Sequence, residues 1–287
     1  MHDREHEANP LRVSGAAAEA GWGALVAANR EQVERLREPT PPADHWQGRA
    51  AFFRADPDRT DDASLNALLD LARPGDAWLE VGAGGGRYAL GLARKVSRFT
   101  AVEPSASMRE VLEETRREFG IENLTVIAES WPLSAAATEA TRVDVAMLAH
   151  VSYDIEPIGP FLGALEVSAG RLCAALLFEH SPFRAYVDLW EAIHGEPGQH
   201  LPALREFVPL LLARGALPEV RIVDERVMSF DSLEDAQADA ARRLWLTEGS
   251  EKYRRMVELL PDSLEARGDG GYVAPGSDRV GLVTWSG

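Results

Sequence analysis

The sequence predicts an α/β fold: a doubly wound, mostly parallel seven-stranded sheet with helices on both faces. A helical N-terminal extension precedes it, and a helical insert interrupts it before the last strand. From Gly75 onward, short apolar runs alternate with stretches of helical period. Those runs are nearly continuous in hydrophobicity, as in parallel strands covered on both faces. The third observation is the stretch 79–93, LEVGAGGGRYALGLA, which sets a loop with four glycines between a predicted strand and a predicted helix. Glycine there costs conformational entropy, so bare main chain at that point implies a ligand lying against it.

Taken in order, 15–38 predicts a helix stopped by PTPP at 39–42, and 46–54 a short helix. A third helix, 61–72, carries acidic residues in its first turn and stops before Pro74-Gly75. Strands are predicted at 77–81, 98–103, 124–129, 143–150 and 171–179. Helices are predicted from Gly86 to about Val96 and over 105–119. In the latter, Met108, Val111, Leu112, Thr115 and Phe119 follow the 3.6 period, Gly120 sits at the stop, and Ser107 with Glu110 forms a candidate capping box. Further helices are expected at 185–194 and 201–214, an edge or antiparallel strand at 219–230, helix again over 231–267, and a last strand at 279–285. The chain thereby divides into an extension, 1–72, and a domain, 73–287, with 231–278 as the insert between the last two strands.

The 287 residues carry a formal net charge of −16 and no Lys/Arg cluster of the kind a nucleic-acid footprint needs. The expected partner is a small molecule, neutral or cationic by the overall charge, and neither nucleic acid nor a membrane. The single cysteine, Cys173 in RLCAALLF, reads as a buried, reduced core residue, so neither a disulfide nor a thiolate metal site is expected. MHDREHEANP is charged and reads as no signal peptide, and no apolar run approaches the ~20 residues of a membrane span. The expected location is cytoplasmic, with no metal. His194 and His200 flank a Gly/Pro turn and are expected to face solvent.

In an open α/β sheet, ligands bind beyond the carboxyl ends of the strands, where the glycine loop falls, and the amides at the following helix start would face a carboxylate or phosphate. A dinucleotide pattern, G-x-G-x-x-G/A, fails from Gly82, where the third position is Arg87, and matches from Gly84, where it is Ala89. Glu80, two residues before the first glycine, helps decide between ligand classes. Its carboxylate would repel a pyrophosphate and suits a ligand bearing an ammonium group.

The runs LEVGAGGGRYA, AVEPSASM and IAESWP, in that order, resemble the class I (Rossmann-like) S-adenosylmethionine-dependent methyltransferases over roughly residues 75–180. The resemblance implies S-adenosyl-L-methionine as cofactor. It implies that Glu80 and the loop of Gly82, Ala83, Gly84 and Gly86 hold the methionine part. It implies that Glu103 accepts both ribose hydroxyls, that Pro104 and Met108 pack on the adenine, and that Glu129-Ser130 meets the adenine edge, where the family often has Asp followed by a small residue. Trp131 is a candidate cover for the adenine, and His150 and Val151 would lie near the sulfonium. His150 and His180, each at the end of a predicted strand, are candidate general bases because histidine titrates in the useful range. Tyr88 and Tyr153 could line the acceptor pocket or pack.

An Asn/Asp-Pro-Pro-aromatic run, the family's mark for methylating amino groups of bases or glutamine, is absent; 150–154 reads HVSYD. The run resembles the branch acting on small molecules and natural products, with O- or N-methylation expected. The additions, with Trp22, Trp46, Phe52 and Phe53 in one and Trp245, Tyr253 and Tyr272 in the other, are expected to form a lid. Two alternatives stay open: an NAD-dependent oxidoreductase, favoured by Gly84, Gly86, Ala89 and Glu103, and a non-catalytic S-adenosylmethionine-binding protein.

Overall fold

The computed structural model describes residues 13–134, 141–181 and 186–286, apart from the side chains of 224–227 and 275–278. Strands β1 (Ala77–Val81), β2 (Arg98–Val102), β3 (Leu124–Ile127), β4 (Val143–Ala149), β5 (Ala169–Phe178), β6 (Glu219–Phe230) and β8 (Tyr272–Trp285) form one sheet. Its order is β3-β2-β1-β4-β5-β8-β6, and a two-residue strand, β7 (Glu265–Ala266), pairs with β8. The first five strands are parallel and β8 runs antiparallel to both its neighbours. The order reverses between β1 and β4, so a crevice opens beyond their carboxyl ends.

Successive strand residues serve two cores, which is why the strands read as unbroken apolar runs. Trp78, Val145, Met147, Ala174 and Leu176 face helices α2 (Ala63–Leu71), α3 (Ala89–Ala93) and α4 (Ala106–Glu118). Leu79, Val81, Leu148, Cys173 and Leu177 face α1 (Gly15–Leu36), α5 (Ile158–Ser168) and α7 (Leu204–Ala213). Cys173 is buried, and burial pushes its thiol up to about 12, so it is a neutral core side chain. A third cluster joins α6 (Val187–His194) to α8 (Leu233–Arg243) and α9 (Glu251–Leu259) through Leu189, Ile193, Ala240, Leu244 and Met256.

Several expectations need correction. The helix after the glycine loop is α3 alone, five residues long, because Gly84 and Gly86 take positive φ and Gly86 N–H turns back to Ala83 O at 3.0 Å. Residues 46–54 give only a 3₁₀ turn, Ala50–Phe53. The cap of α4 is Ser105, whose Oγ accepts Met108 N–H at 3.2 Å, and Ser107 instead donates to Asp44. α5 has no counterpart in the sequence reading. β8 starts at Tyr272, so the insert ends as strand and not as helix. The first residues of the extension and the predicted helix start at Ala185 lie outside the described residues.

The register shows what the long β6 and β8 do. Phe178, the last residue of β5, pairs with Val280, whereas β6 pairs with β8 all the way to Phe230–Tyr272. A two-stranded ribbon therefore projects past the carboxyl edge of the sheet and carries α8 and α9 to the crevice side.

α2 is fastened to the glycine loop by one carboxylate. Asp62 caps α2 by accepting Leu65 N–H at 3.0 Å, and its Oδ2 accepts from Arg59 and from Arg87, the residue after Gly86. Burial pushes this carboxyl up, but the Leu65 amide, Arg87 and Arg59 outweigh it and hold it at about 2. A depressed folded value means the stabilisation is present above the ordinary 3.8 and is lost as pH falls towards 2. Asp62→Asn should therefore cost about 2 kcal/mol at pH 7, with the deficit vanishing near pH 2; urea titrations across pH measure it.

Candidate functional site

β1 delivers the glycine loop to the crevice. Gly82 and Ala83 N–H both donate to Val102 O, at 2.8 and 3.2 Å, which extends the β1–β2 ladder into the loop. Gly84 then turns at φ +55°, a region that disfavours other residues. A Cβ on Gly84 would have only Met108 Sδ near it, at 3.9 Å, so the concavity is open on that side. A Cβ on Gly82 would lie 2.6 Å from Val151 Cγ2, so the loop after β4 closes against the cradle.

Two carboxylates flank the loop. Glu80 is 1% exposed and takes one hydrogen bond, from Ala89 N–H. Its Oε2 is buried with no hydrogen-bond partner among the described residues. Burial first, then the neighbouring Glu103, push its pKa well above the usual carboxylate range. Glu103 ends the β2 run, and its oxygens accept Gly84 N–H at 2.7 Å and Ser105 N–H at 2.8 Å. Burial raises its pKa, against the pull of those two amides. The expected role of the α3 amides is thus corrected: Ala89 N–H serves Glu80 and Leu90 N–H serves Gly86 O, so the amides are engaged internally.

Met108 is buried behind the loop, and Pro104 is exposed. Glu129 is half-buried and its Oε2 accepts Ser134 N–H at 3.4 Å; Ser130 is exposed. Trp131 spends its indole N–H on Phe161 O at 3.0 Å and packs into the α5 core.

The loop after β4 carries unusual backbone. His150 and Ser152 sit at φ +56° and +92°, conformations costing of order 1–3 kcal/mol each in a non-glycine residue. They are held by His150 N–H to Leu176 O at 2.8 Å and by Trp22 Nε1–H to Ile155 O at 3.0 Å. The His150 ring stacks on Phe178 with centroids 4.4 Å apart. Its Nε2 lies 3.4 Å from the Tyr88 hydroxyl and its Nδ1 3.4 Å from the Tyr153 hydroxyl. Tyr153 accepts Phe178 N–H at 2.8 Å, and both tyrosines are buried. The structure thus brings His150, Tyr88 and Tyr153 together. His180 is half-buried two residues past β5, beside Glu179.

Sequence reasoning missed Asp44. Its carboxylate accepts the Ser105 and Ser107 hydroxyls at 2.9 Å each and Ser107 N–H at 3.1 Å, so the extension lies over the start of α4. The Ser107 amide foremost holds this carboxyl down at about 2. Phe178 was also missed, since only the fold brings it to His150. Trp22 belongs to the core, edge-on to Phe207. His194 does not face solvent: it is half-buried, with Nε2 3.0 Å from Leu244 O and Nδ1 3.2 Å from Lys252 Nζ.

A buried carboxylate oxygen with no partner is costly, and a cradle open at Gly84 leaves room beside it. Both features fit a ligand that brings an ammonium group to Glu80 and hydroxyls to Glu103. They do not fit a diphosphate. Among the described residues no group of three or more His, Cys, Asp or Glu could hold a metal ion, and no helix is long and apolar enough to cross a membrane.

Comparison with known proteins agrees. The model of a methyltransferase domain family matches residues 79–163. Among solved structures, the YcgJ protein of Bacillus subtilis aligns with a TM-score of 0.51 and 14% identity over 78% of this chain and 97% of its own. A Bacillus halodurans C-125 protein assigned as a methyltransferase aligns with a TM-score of 0.54 and 12% identity, over 78% and 98%. At such identities these likenesses speak for the fold. No curated protein matches the chain. Over residues 79–163 the chain thus matches a methyltransferase domain, and S-adenosylmethionine is the cofactor its site fits.

Proposed function

We propose that the chain transfers a methyl group from S-adenosylmethionine to oxygen or nitrogen of a small-molecule acceptor, in the cytoplasm, and does not act on nucleic acid. The observation that carries the cofactor assignment is the buried, unpartnered Oε2 of Glu80. The cofactor supplies an electrophilic methyl on its sulfonium, so the protein's work is to hold the acceptor in line and dry. Glu80 receives the ammonium, with Gly82, Ala83, Gly84 and Gly86 bounding the methionine part. Glu103 keeps a lone pair on each oxygen beyond its amide bonds, enough for two ribose hydroxyls. Met108 and Pro104 border the adenine, with Glu129, Ser130 and Trp131 at its edge and Val151 towards the sulfonium.

His150 is the candidate base. With Nδ1–H donated to Tyr153, its Nε2 lone pair faces the Tyr88 hydroxyl and takes the acceptor's proton there. His180 is the second candidate. Tyr88 and Tyr153 set the depth of the acceptor pocket. The extension and the insert act as a lid, and they touch each other: Glu38 accepts Thr247 N–H and the Ser250 hydroxyl, each at 2.7 Å.

Calorimetry should show S-adenosylmethionine and S-adenosylhomocysteine binding and NAD failing to bind; tight NAD binding with neither of the others would sink the assignment. His150→Asn keeps a residue tolerant of positive φ. It should lower transfer of labelled methyl into a small-molecule extract by about 100-fold while S-adenosylhomocysteine affinity changes little.

A further inference from the structure

β6 ends the sheet on one side, and β8 is its one strand partner among the described residues. Its first four residues, Glu219 to Ile222, are all exposed, so the strand is uncovered there on both faces. Pairing with β8 uses only half of the main-chain N–H and C=O groups, because successive residues turn them to opposite sides. The other half stand open to any strand that can lie alongside.

The two faces of this edge differ. Val220 and Ile222 lie opposite Val283 and Gly281 of β8. Val283 belongs to the core shared with α7, and a Cβ on Gly281 would lie 2.5 Å from Leu204 Cδ2 of α7. Val220 and Ile222 therefore sit on the α7 side, 43% and 49% exposed, with Leu217, just ahead of the strand, at 87%. Leu212, on α7 itself, is exposed as well. Glu219 and Arg221 take the other side. There Arg221 Nη1 lies 3.5 Å from Asp70 Oδ2 of α2, with both side chains more than half exposed. Such a pair is worth little, so a closer carboxylate displaces it at small cost.

Register selects the occupant. In an antiparallel pair, directly opposed residues turn their main-chain groups the same way, so a strand meets its own copy only in registers centred on a residue. Centred on Arg221, the pairing sets Arg221 against Arg221 and Glu219 against Val223. Centred on Glu219 or Ile222, it sets Arg221 against Leu217 or Val223. Centred on Val220, it sets Glu219 against Arg221 of the second copy, twice by symmetry, with Val220 against Val220 and Ile222 against Pro218. That register alone among the four pairs opposite charges. Pro218 has no N–H to give, and the β6–β8 register shifts after Ile222, so the complementary stretch is 218–222.

We propose that a second copy of this chain adds to β6 as an antiparallel strand, across a two-fold axis at Val220. The two sheets become continuous. Both copies of α7 lie on one face, where Leu212 and Leu217 add apolar contact, and the Glu219–Arg221 pairs lie on the other. β6 runs parallel to β5, so the strands of the second copy run the opposite way and the two crevices open at opposite edges of the joined sheet. Each crevice is built by its own chain. The dimer stands or falls apart from the methyltransferase reading.

Sedimentation velocity of the full chain over about 1–100 μM should show a monomer–dimer equilibrium. Glu219→Arg or Arg221→Glu turns two attractive pairs into two repulsive ones and should weaken the dimer about tenfold. The two exchanges together should restore it to within about threefold of the parent chain. All these positions are exposed, so the variants should fold. Val220→Cys should crosslink to its own copy on mild oxidation, since it faces itself and the native Cys173 is buried. Ile222→Cys, on the same face, should not, because its copy would lie about 13 Å away along the strands. A monomer throughout the range, a dimer indifferent to the single exchanges or unrestored by the double one, or Ile222→Cys crosslinking as readily as Val220→Cys, would overturn the proposal.

Discussion

Replacing Glu80 by Gln should remove measurable binding of S-adenosylmethionine and S-adenosylhomocysteine while making the ligand-free protein more stable at neutral pH. Truncating one partner of a buried charge pair costs 2–5 kcal/mol or more, so affinity should fall about 100-fold or further. The stability change has the opposite sign because Glu80 is an unpaired buried acid before the cofactor arrives. Its folded pKa lies well above the ordinary 4.5, owing to burial and then Glu103. The folded state therefore holds the proton more tightly than the unfolded chain. Stability is full below about 4.5 and declines as pH rises from there through the folded value. Glu80→Gln has no such decline, so its melting temperature should exceed that of the parent chain at pH 7–8 and converge with it below pH 4.5. The ammonium should also expel a proton from Glu80 on binding, seen as a buffer-dependent heat in the parent chain. A variant that keeps cofactor affinity would break the link between the acid and the ammonium.

The parts of this molecule legible in the sequence are those whose cause is local. Continuous apolar runs announce strands covered on both faces, and the spacing of Glu80 and Glu103 to the glycine loop places two acids at one point. α5 escaped because Gly159, Pro160 and Gly163 weaken its helical signal and apolar residues surround it on nearly every side. Only burial between β4 and β5 makes it a helix. α3 was read too long because two positive-φ glycines hold the chain in a turn that periodicity does not register. Asp44 carries no local motif: it meets Ser105 and Ser107 at the start of a helix 61 residues away, and only the fold brings them together. Net charge carries no such placement, because it averages over the whole surface, whereas a ligand meets the few groups lining one cleft.

Glu103→Ala should weaken both the nucleoside contact and the fold, and that combination separates it from Glu80→Gln. The Glu103 carboxylate is a brace as well as an acceptor, because it takes Gly84 N–H and Ser105 N–H, one from each side of the cradle. Removing it leaves two partly buried amides without partners, each worth about 1–3 kcal/mol, partly offset by no longer burying a carboxylate whose pKa is already raised. A net loss of about 2 kcal/mol in urea unfolding is expected, together with a roughly 100-fold loss of S-adenosylhomocysteine affinity. Adenosine discriminates the two acids. It carries the ribose hydroxyls and lacks the ammonium, so its affinity should collapse in Glu103→Ala and survive in Glu80→Gln. Adenosine binding that withstands Glu103→Ala, beside the same loss of stability, would reduce Glu103 to a brace of the loop. The ribose would then have to find its acceptor elsewhere along the β2–α4 turn.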